Sequence, residues 1–107
     1  MENKLDNKDV LYRIGHFRLE KNLSARDLSL TLDKGSSFIN RIEHEVTGLK
    51  VDTLLKILEV FNISPLEFFY PTTSNFSQDM EILDKFSKLS QENKIFVLEL
   101  IKKLNKE

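Results

Sequence analysis

Ser36, Ser37, Asn40, Arg41 and His44 carry the chemistry that this sequence offers most plainly. On an α-helix that advances about 100° per residue they share one side, and Phe38, Ile39 and Ile42 share the other. The hydrophilic side presents two hydroxyls, an amide, a guanidinium and an imidazole, with no large apolar group among them. Such groups hydrogen-bond base edges and phosphates, and a DNA major groove admits one helix. Asn suits adenine, Arg suits guanine and Ser suits either. Ser36, Ser37, Asn40 and Arg41 are therefore candidate base contacts. Arg26, Lys34, His44 and Lys50 are candidate phosphate contacts, and the backbone N–H groups at the start of the helix add to them. Arg41 precedes Glu45 by four residues, so an ion pair along the helix competes for its guanidinium.

Other chemistries find little to build on. The chain has no cysteine, which removes disulfides, thiolate metal sites and a cysteine nucleophile. His16 and His44 are the only histidines; they fall in different elements at no ligand spacing, so neither a metal nor a cofactor is expected. No nucleophile–base pair and no glycine-rich phosphate loop stands out, and the chain is not read as an enzyme. No run approaches the roughly 20 apolar residues of a membrane span. The start, MENKLDNKDV, lacks the apolar stretch of a signal peptide. A cytoplasmic protein with no membrane partner is expected.

The 107 residues carry 16 Lys plus Arg against 17 Asp plus Glu. Over residues 9–70 there are eight bases and nine acids. Bulk charge does not attract a polyanion here, so a nucleic-acid contact must come from local geometry.

The elements that would position those side chains follow from spacing. Apolar residues recur at three and four, not in alternation, which gives an all-α fold. A first helix is predicted over about 10–21, with Val10, Leu11, Ile14, Phe17 and Leu19 inward and Arg13, Arg18, Glu20 and Lys21 solvated. A second starts at the capping box Ser24-Ala25-Arg26-Asp27 and ends near Asp33-Lys34-Gly35. A third runs from Ser36 to about His44, capped by Gly35. A fourth covers about Val51–Phe61. A short fifth has Ser64 as cap, Pro65 in the first position and Glu67 closing a capping box, with Leu66, Phe68 and Phe69 docking it. Helices as short as the second and third cannot stand alone in water. They must share a seam, here Leu23, Leu28, Leu32, Phe38, Ile39 and Ile42, which leaves the outer face of the third free.

The stretch LSARDLSLTLDKGSSFINRIE, with Ile14 before it and Thr53-Leu54-Leu55-Lys56-Ile57 and Ile63-Ser64-Pro65-Leu66-Glu67-Phe68-Phe69 after it, resembles the phage-repressor (Xre/Cro-like) helix-turn-helix family. The resemblance spans about Ile14–Phe69. It implies a five-helix domain, here 8–70, whose third helix reads double-stranded DNA, usually as a dimer on a palindromic site. Some family positions are changed. Ala25 stands where a phosphate-holding glutamine is common, with Arg26 beside it. Asp33 stands at the usual turn glycine, Lys34 at the apolar turn residue, Glu45 at a glycine that ends the third helix, and Leu49 at a proline. Glu43 is a usual family acid, for which a structural partner is expected.

The polar stretch Tyr70–Asn75 reads as a linker. A C-terminal helical segment, 77–106, follows. Met80, Leu83, Phe86 and Leu89 form one stripe, and Ser90 restarts a last helix. Its seven apolar residues between Ile95 and Leu104 exceed one stripe. Docking on the first domain would hide one face. Ile95, Phe96, Leu98, Ile101 and Leu104 are candidates for a dimer or partner interface. The expected function is a sequence-specific DNA-binding transcription regulator, a repressor and a homodimer. The alternative is a protein-interaction module on the same fold, an antirepressor or an antitoxin.

Overall fold

Asp6 sets the start of the chain's first helix, three residues before periodicity alone places it. Its carboxylate accepts the backbone N–H of Asp9, and the Asp9 carboxylate accepts that of Asp6, which makes a reciprocal cap. The computed structural model describes residues 6–71 and 75–107. It contains α1 Asn7–Glu20, α2 Ala25–Thr31, α3 Phe38–Glu43, α4 Val51–Phe61, α5 Pro65–Phe69, α6 Phe76–Ser87 and α7 Gln91–Leu104. The fold is all-α, as the spacing predicts.

Two compact units divide at residue 71. In the first, Leu11, Ile14 and Phe17 of α1, Leu28 of α2, Ile39 and Ile42 of α3, Ile57, Leu58 and Phe61 of α4, and Phe68 of α5 form one buried cluster. Each helix contributes, so none of the short ones needs to be stable by itself. Phe17 lies against Phe61 and Phe68, with ring centroids 6.4 and 5.8 Å apart.

The caps behave largely as their sequences suggest. Ser24 and Asp27 form the full reciprocal box. Ser64 accepts the Glu67 N–H, but the return bond is not made, so the cap there is one-sided. Ser90 accepts the Asn93 N–H and starts α7. Thr72–Ser74, the middle of the predicted linker, lie outside the described residues, as do the first five.

Several side chains depart from the predicted pattern. Arg13 and Arg18 are not solvated. Arg13 donates from Nη1 to the carbonyl oxygens of Phe68 (2.8 Å) and Tyr70 (2.6 Å), tying α1 to the end of α5. Leu19 turns outward and is exposed, because it falls on the far side of α1 from Ile14 and Phe17. Of the three residues expected to dock α5, Phe68 alone is buried; Leu66 and Phe69 are exposed.

The second unit is α6, a three-residue connection and α7. Among its described residues none is buried, including every apolar side chain of both helices.

Candidate nucleic-acid interface

Two short helices and the turn between them build the predicted contact face. Asp33 makes the turn, with φ of 62°, in the left-handed region where a glycine would be unstrained. The Lys34 amide then bonds the Ser29 carbonyl oxygen at 3.0 Å, and the Phe38 amide bonds that of Gly35 at 3.0 Å. α3 begins at Phe38, not Ser36, and its cap is Ser37, not Gly35. The Ser37 side chain makes no capping bond, so its hydroxyl stays available. Ser36 and Ser37 thus sit in the turn that leads into α3, with Asn40 and Arg41 following on the helix. All four are exposed.

Two polar links that spacing did not reveal hold α3 at this angle. The first is Ser29, wholly buried in α2. Its Oγ donates to the Ala25 carbonyl oxygen at 2.7 Å and accepts the Ile39 N–H at 2.9 Å. A hydroxyl both donates and accepts, so this one side chain bridges α2 to the first turn of α3. The second is the pair of Arg18 on α1 and Glu43 at the end of α3. Nε donates to Oε2 at 2.9 Å and Nη2 to Oε1 at 3.1 Å, a bidentate fork with both side chains mostly buried. Arg18 Nη1 also donates to the Leu23 carbonyl oxygen. Glu43 therefore has the structural partner expected of it, and its charge is neutralised beside the exposed polar side of α3. The signal for Arg18 was present: it lies seven residues after Leu11 and four after Ile14, on the buried side of α1.

These links also correct an expectation. The amides of Phe38 and Ile39 are not free for a phosphate, since Phe38 N–H bonds Gly35 and Ile39 N–H bonds Ser29.

Arg41 makes no ion pair with Glu45. Glu45 has left the helix at φ 60°, directly after the C-cap His44, which moves it off the four-residue helical register that such a pair needs. The Val46 amide closes on the Arg41 carbonyl oxygen at 2.8 Å. This is the left-handed helix end at which a glycine is common.

The phosphate candidates are differently placed. Arg26 and Lys50 are exposed, at the first turn of α2 and the cap of α4. Lys34 is exposed with its Nζ 5.4 Å from the centre of the Phe38 ring, which holds it beside the turn. His44 Nδ1 lies 2.8 Å from the Asn40 carbonyl oxygen. A carbonyl only accepts, so Nδ1 carries the proton and donates. Nε2 of the neutral ring is then an acceptor and offers a phosphate a donor only when protonated. His16 and His44 both line a groove of about 530 Å³ between α1 and the end of α3. Among the described residues no group of three or more His, Asp or Glu could hold a metal ion. No helix among them is long and apolar enough to cross a membrane.

No curated protein and no solved structure matches the chain. A family model described as helix-turn-helix matches residues 14–68, which is the stretch from the buried Ile14 of α1 to the buried Phe68 of α5. That stretch holds all the elements that support the exposed face of α3, and the chain belongs to the phage-repressor-like helix-turn-helix family of DNA-binding regulators.

Proposed function

We propose that this protein is a sequence-specific transcriptional repressor of the cytoplasm that lays α3 and the turn before it in the DNA major groove. One observation carries the reading. Ser36, Ser37, Asn40 and Arg41 are exposed together on an element whose opposite side, Ile39 and Ile42, is wholly buried. A face with fixed backing and free polar groups is what base-edge readout requires. Arg26, Lys34 and Lys50 surround it as phosphate contacts, joined by His44 when protonated. Arg13 and Arg18 are spent inside the fold and contribute nothing to the DNA footprint.

Selection from a random duplex pool should recover one motif, and a dimer should recover it as inverted half-sites about one helical turn apart. Asn40→Ala should cost roughly 1–3 kcal/mol on that motif and relax preference at one base. Lys50→Ala should weaken all sequences alike and lower the salt slope by about one. Binding with no sequence preference, unchanged when Ser37, Asn40 and Arg41 become alanine, overturns the proposal. Repression as opposed to activation is read from a reporter placed behind the selected motif.

A second reading is favoured by the bare apolar surface of α6 and α7: an antirepressor or antitoxin that uses this surface to hold another protein. A stoichiometric protein partner, together with no DNA shift at low salt, would establish it.

A further inference from the structure

We propose that the groove between α1 and the end of α3 binds a small aromatic amine, and that the bound amine strengthens the hold on DNA. The second half rests on the DNA-binding reading above; the first does not.

The argument starts from side chains that the core does not use. Tyr12, His16 and Leu19 follow one another at four and three residues on α1, so they fall within about 60° of arc around the helix. This stripe lies away from Ile14 and Phe17, and its two ends, Tyr12 and Leu19, are 74% and 66% exposed. The Tyr12 and His16 rings stack with centroids 6.4 Å apart and 21° between their planes. The three side chains form one wall of the groove, and Glu43, His44 and Glu45 stand on the other. Its volume of about 530 Å³ falls inside the roughly 300–1,000 Å³ of small-molecule sites. The groove belongs wholly to the first unit.

The polar groups across from the rings select a cation. Glu45 is exposed and makes no ion pair. Nε2 of the neutral His44 ring is an acceptor, because Nδ1 donates to the Asn40 carbonyl oxygen. The Glu43 carboxylate takes two bonds from Arg18, and about two of its four lone-pair positions stay open. Against these acceptors the lining has one base, Lys8. An ammonium brings three donors and no acceptor, and the face of an exposed tyrosine ring also attracts its charge. A ring on the amine adds stacking against the Tyr12–His16 pair. The wall itself has hydrogen-bonding capacity that the fold leaves unused: His16 Nε2 is buried with no hydrogen-bond partner, and the Glu20 carboxylate stays 3.6 Å away.

Occupancy has a sign. His44 and Glu45 end α3, next to Asn40 and Arg41. An ammonium beside Glu45 cancels a negative charge where phosphates approach, so DNA binds more tightly. Linkage requires that DNA tighten the amine by the same factor.

Isothermal titration calorimetry of the full chain without DNA, with phenethylamine as the probe, tests the site. One equivalent should bind, at least about tenfold tighter than 2-phenylethanol, which lacks the charge, or ethylamine, which lacks the ring. Tyr12→Ala and Glu45→Gln should each weaken it at least about tenfold. Both side chains are exposed, so the core is untouched, and Tyr12→Ala should leave DNA affinity without amine unchanged. At low salt, saturating phenethylamine should tighten binding to the selected motif about fivefold in the wild type and not in Glu45→Gln. No binding of phenethylamine up to about 10 mM overturns the proposal, as does binding that both variants retain. An amine that binds and leaves DNA affinity unchanged overturns its regulatory half. A chain that binds the amine but shifts no DNA upholds the site and refutes the DNA-binding reading instead.

Discussion

Replacing Ser29 with alanine removes one oxygen atom and should cost more than any surface substitution in the first unit. Ser29 Oγ accepts the Ile39 N–H at 2.9 Å in a fully buried position. Without it that amide has no partner and no route to water, and an orphaned buried donor costs about 1–3 kcal/mol. The donated bond to the Ala25 carbonyl oxygen is a smaller loss, because that oxygen also serves the helix ladder. Alanine's higher helix propensity returns about 0.5 kcal/mol. The net expectation is about 1–2 kcal/mol, which for a domain of this size lowers the melting temperature by roughly 5–15 °C. Thr31→Ala is the matched control. Its Oγ1 makes the same kind of bond, to the Asp27 carbonyl oxygen at 2.8 Å on the same helix, but it is exposed and accepts no buried amide. It should stay within about 0.5 kcal/mol of wild type. Melting followed by helical circular dichroism measures both, and hydrogen exchange of the Ile39 amide localises the effect. Equal melting of the two variants, with Ile39 protection unchanged, would refute the claim that Ser29 fixes α3.

Glu43→Ala should destabilise the first unit by about 3 kcal/mol, because the Arg18 guanidinium is left buried with half its partners. The double variant Arg18→Met/Glu43→Leu should recover most of that loss in a urea melt. Glu45→Gly relieves a left-handed residue and removes an acid beside the face proposed to read DNA, so it should stabilise by about 0.5–1 kcal/mol and tighten DNA binding at low salt. Looser binding would show that Glu45 contacts DNA directly. Gly15→Ala should stabilise by about 0.5–1 kcal/mol, since the added Cβ meets only the Glu43 carboxylate oxygens at 4.0 Å, an ordinary contact in mid-helix; a lower melting temperature would contradict this. The backbone N–H of Asp9 holds the Asp6 carboxyl below its ordinary value of 3.8. A depressed value means that the cap persists as pH falls through 3.8 and is lost only below it, so the Asp9 amide resonance should titrate below 3.8 and not above.

The apolar skeleton was open to a reader of the sequence. Leu11, Ile14, Phe17, Leu28, Ile39, Ile42, Ile57, Leu58 and Phe61 recur at helical spacing, and all are buried. The capping sequences at Ser24 and Ser90 were equally legible, because each is a local bond between neighbours. What escaped was polar and inward. Spacing rules sort side chains by hydrophobicity, send Arg13 and Arg18 to solvent and pass over Ser29, although Arg18 stands on the buried side of α1, about 20° around the helix from Leu11. Leu19 misled in the opposite sense: it is apolar, yet stands about 160° around the helix from the buried Phe17 and faces water. Long-range pairs such as Arg18 with Glu43, 25 residues apart, leave no periodic trace.

That omission bears directly on the face proposed to read DNA. α3 has six residues, fewer than two turns, and cannot set its own direction. Ile39 and Ile42 anchor it, but apolar contacts are non-directional and tolerate rotation about the helix axis. Hydrogen bonds are not so tolerant, since they weaken steeply away from linear geometry. The Ser29 bond fixes one end of α3 and the Arg18 fork fixes the other. The orientation of Asn40 and Arg41 is thus governed by polar groups on the hidden side of the same helix. Substitutions at Ser29 or Arg18 should therefore alter DNA specificity as well as stability, although neither residue is placed to touch a base.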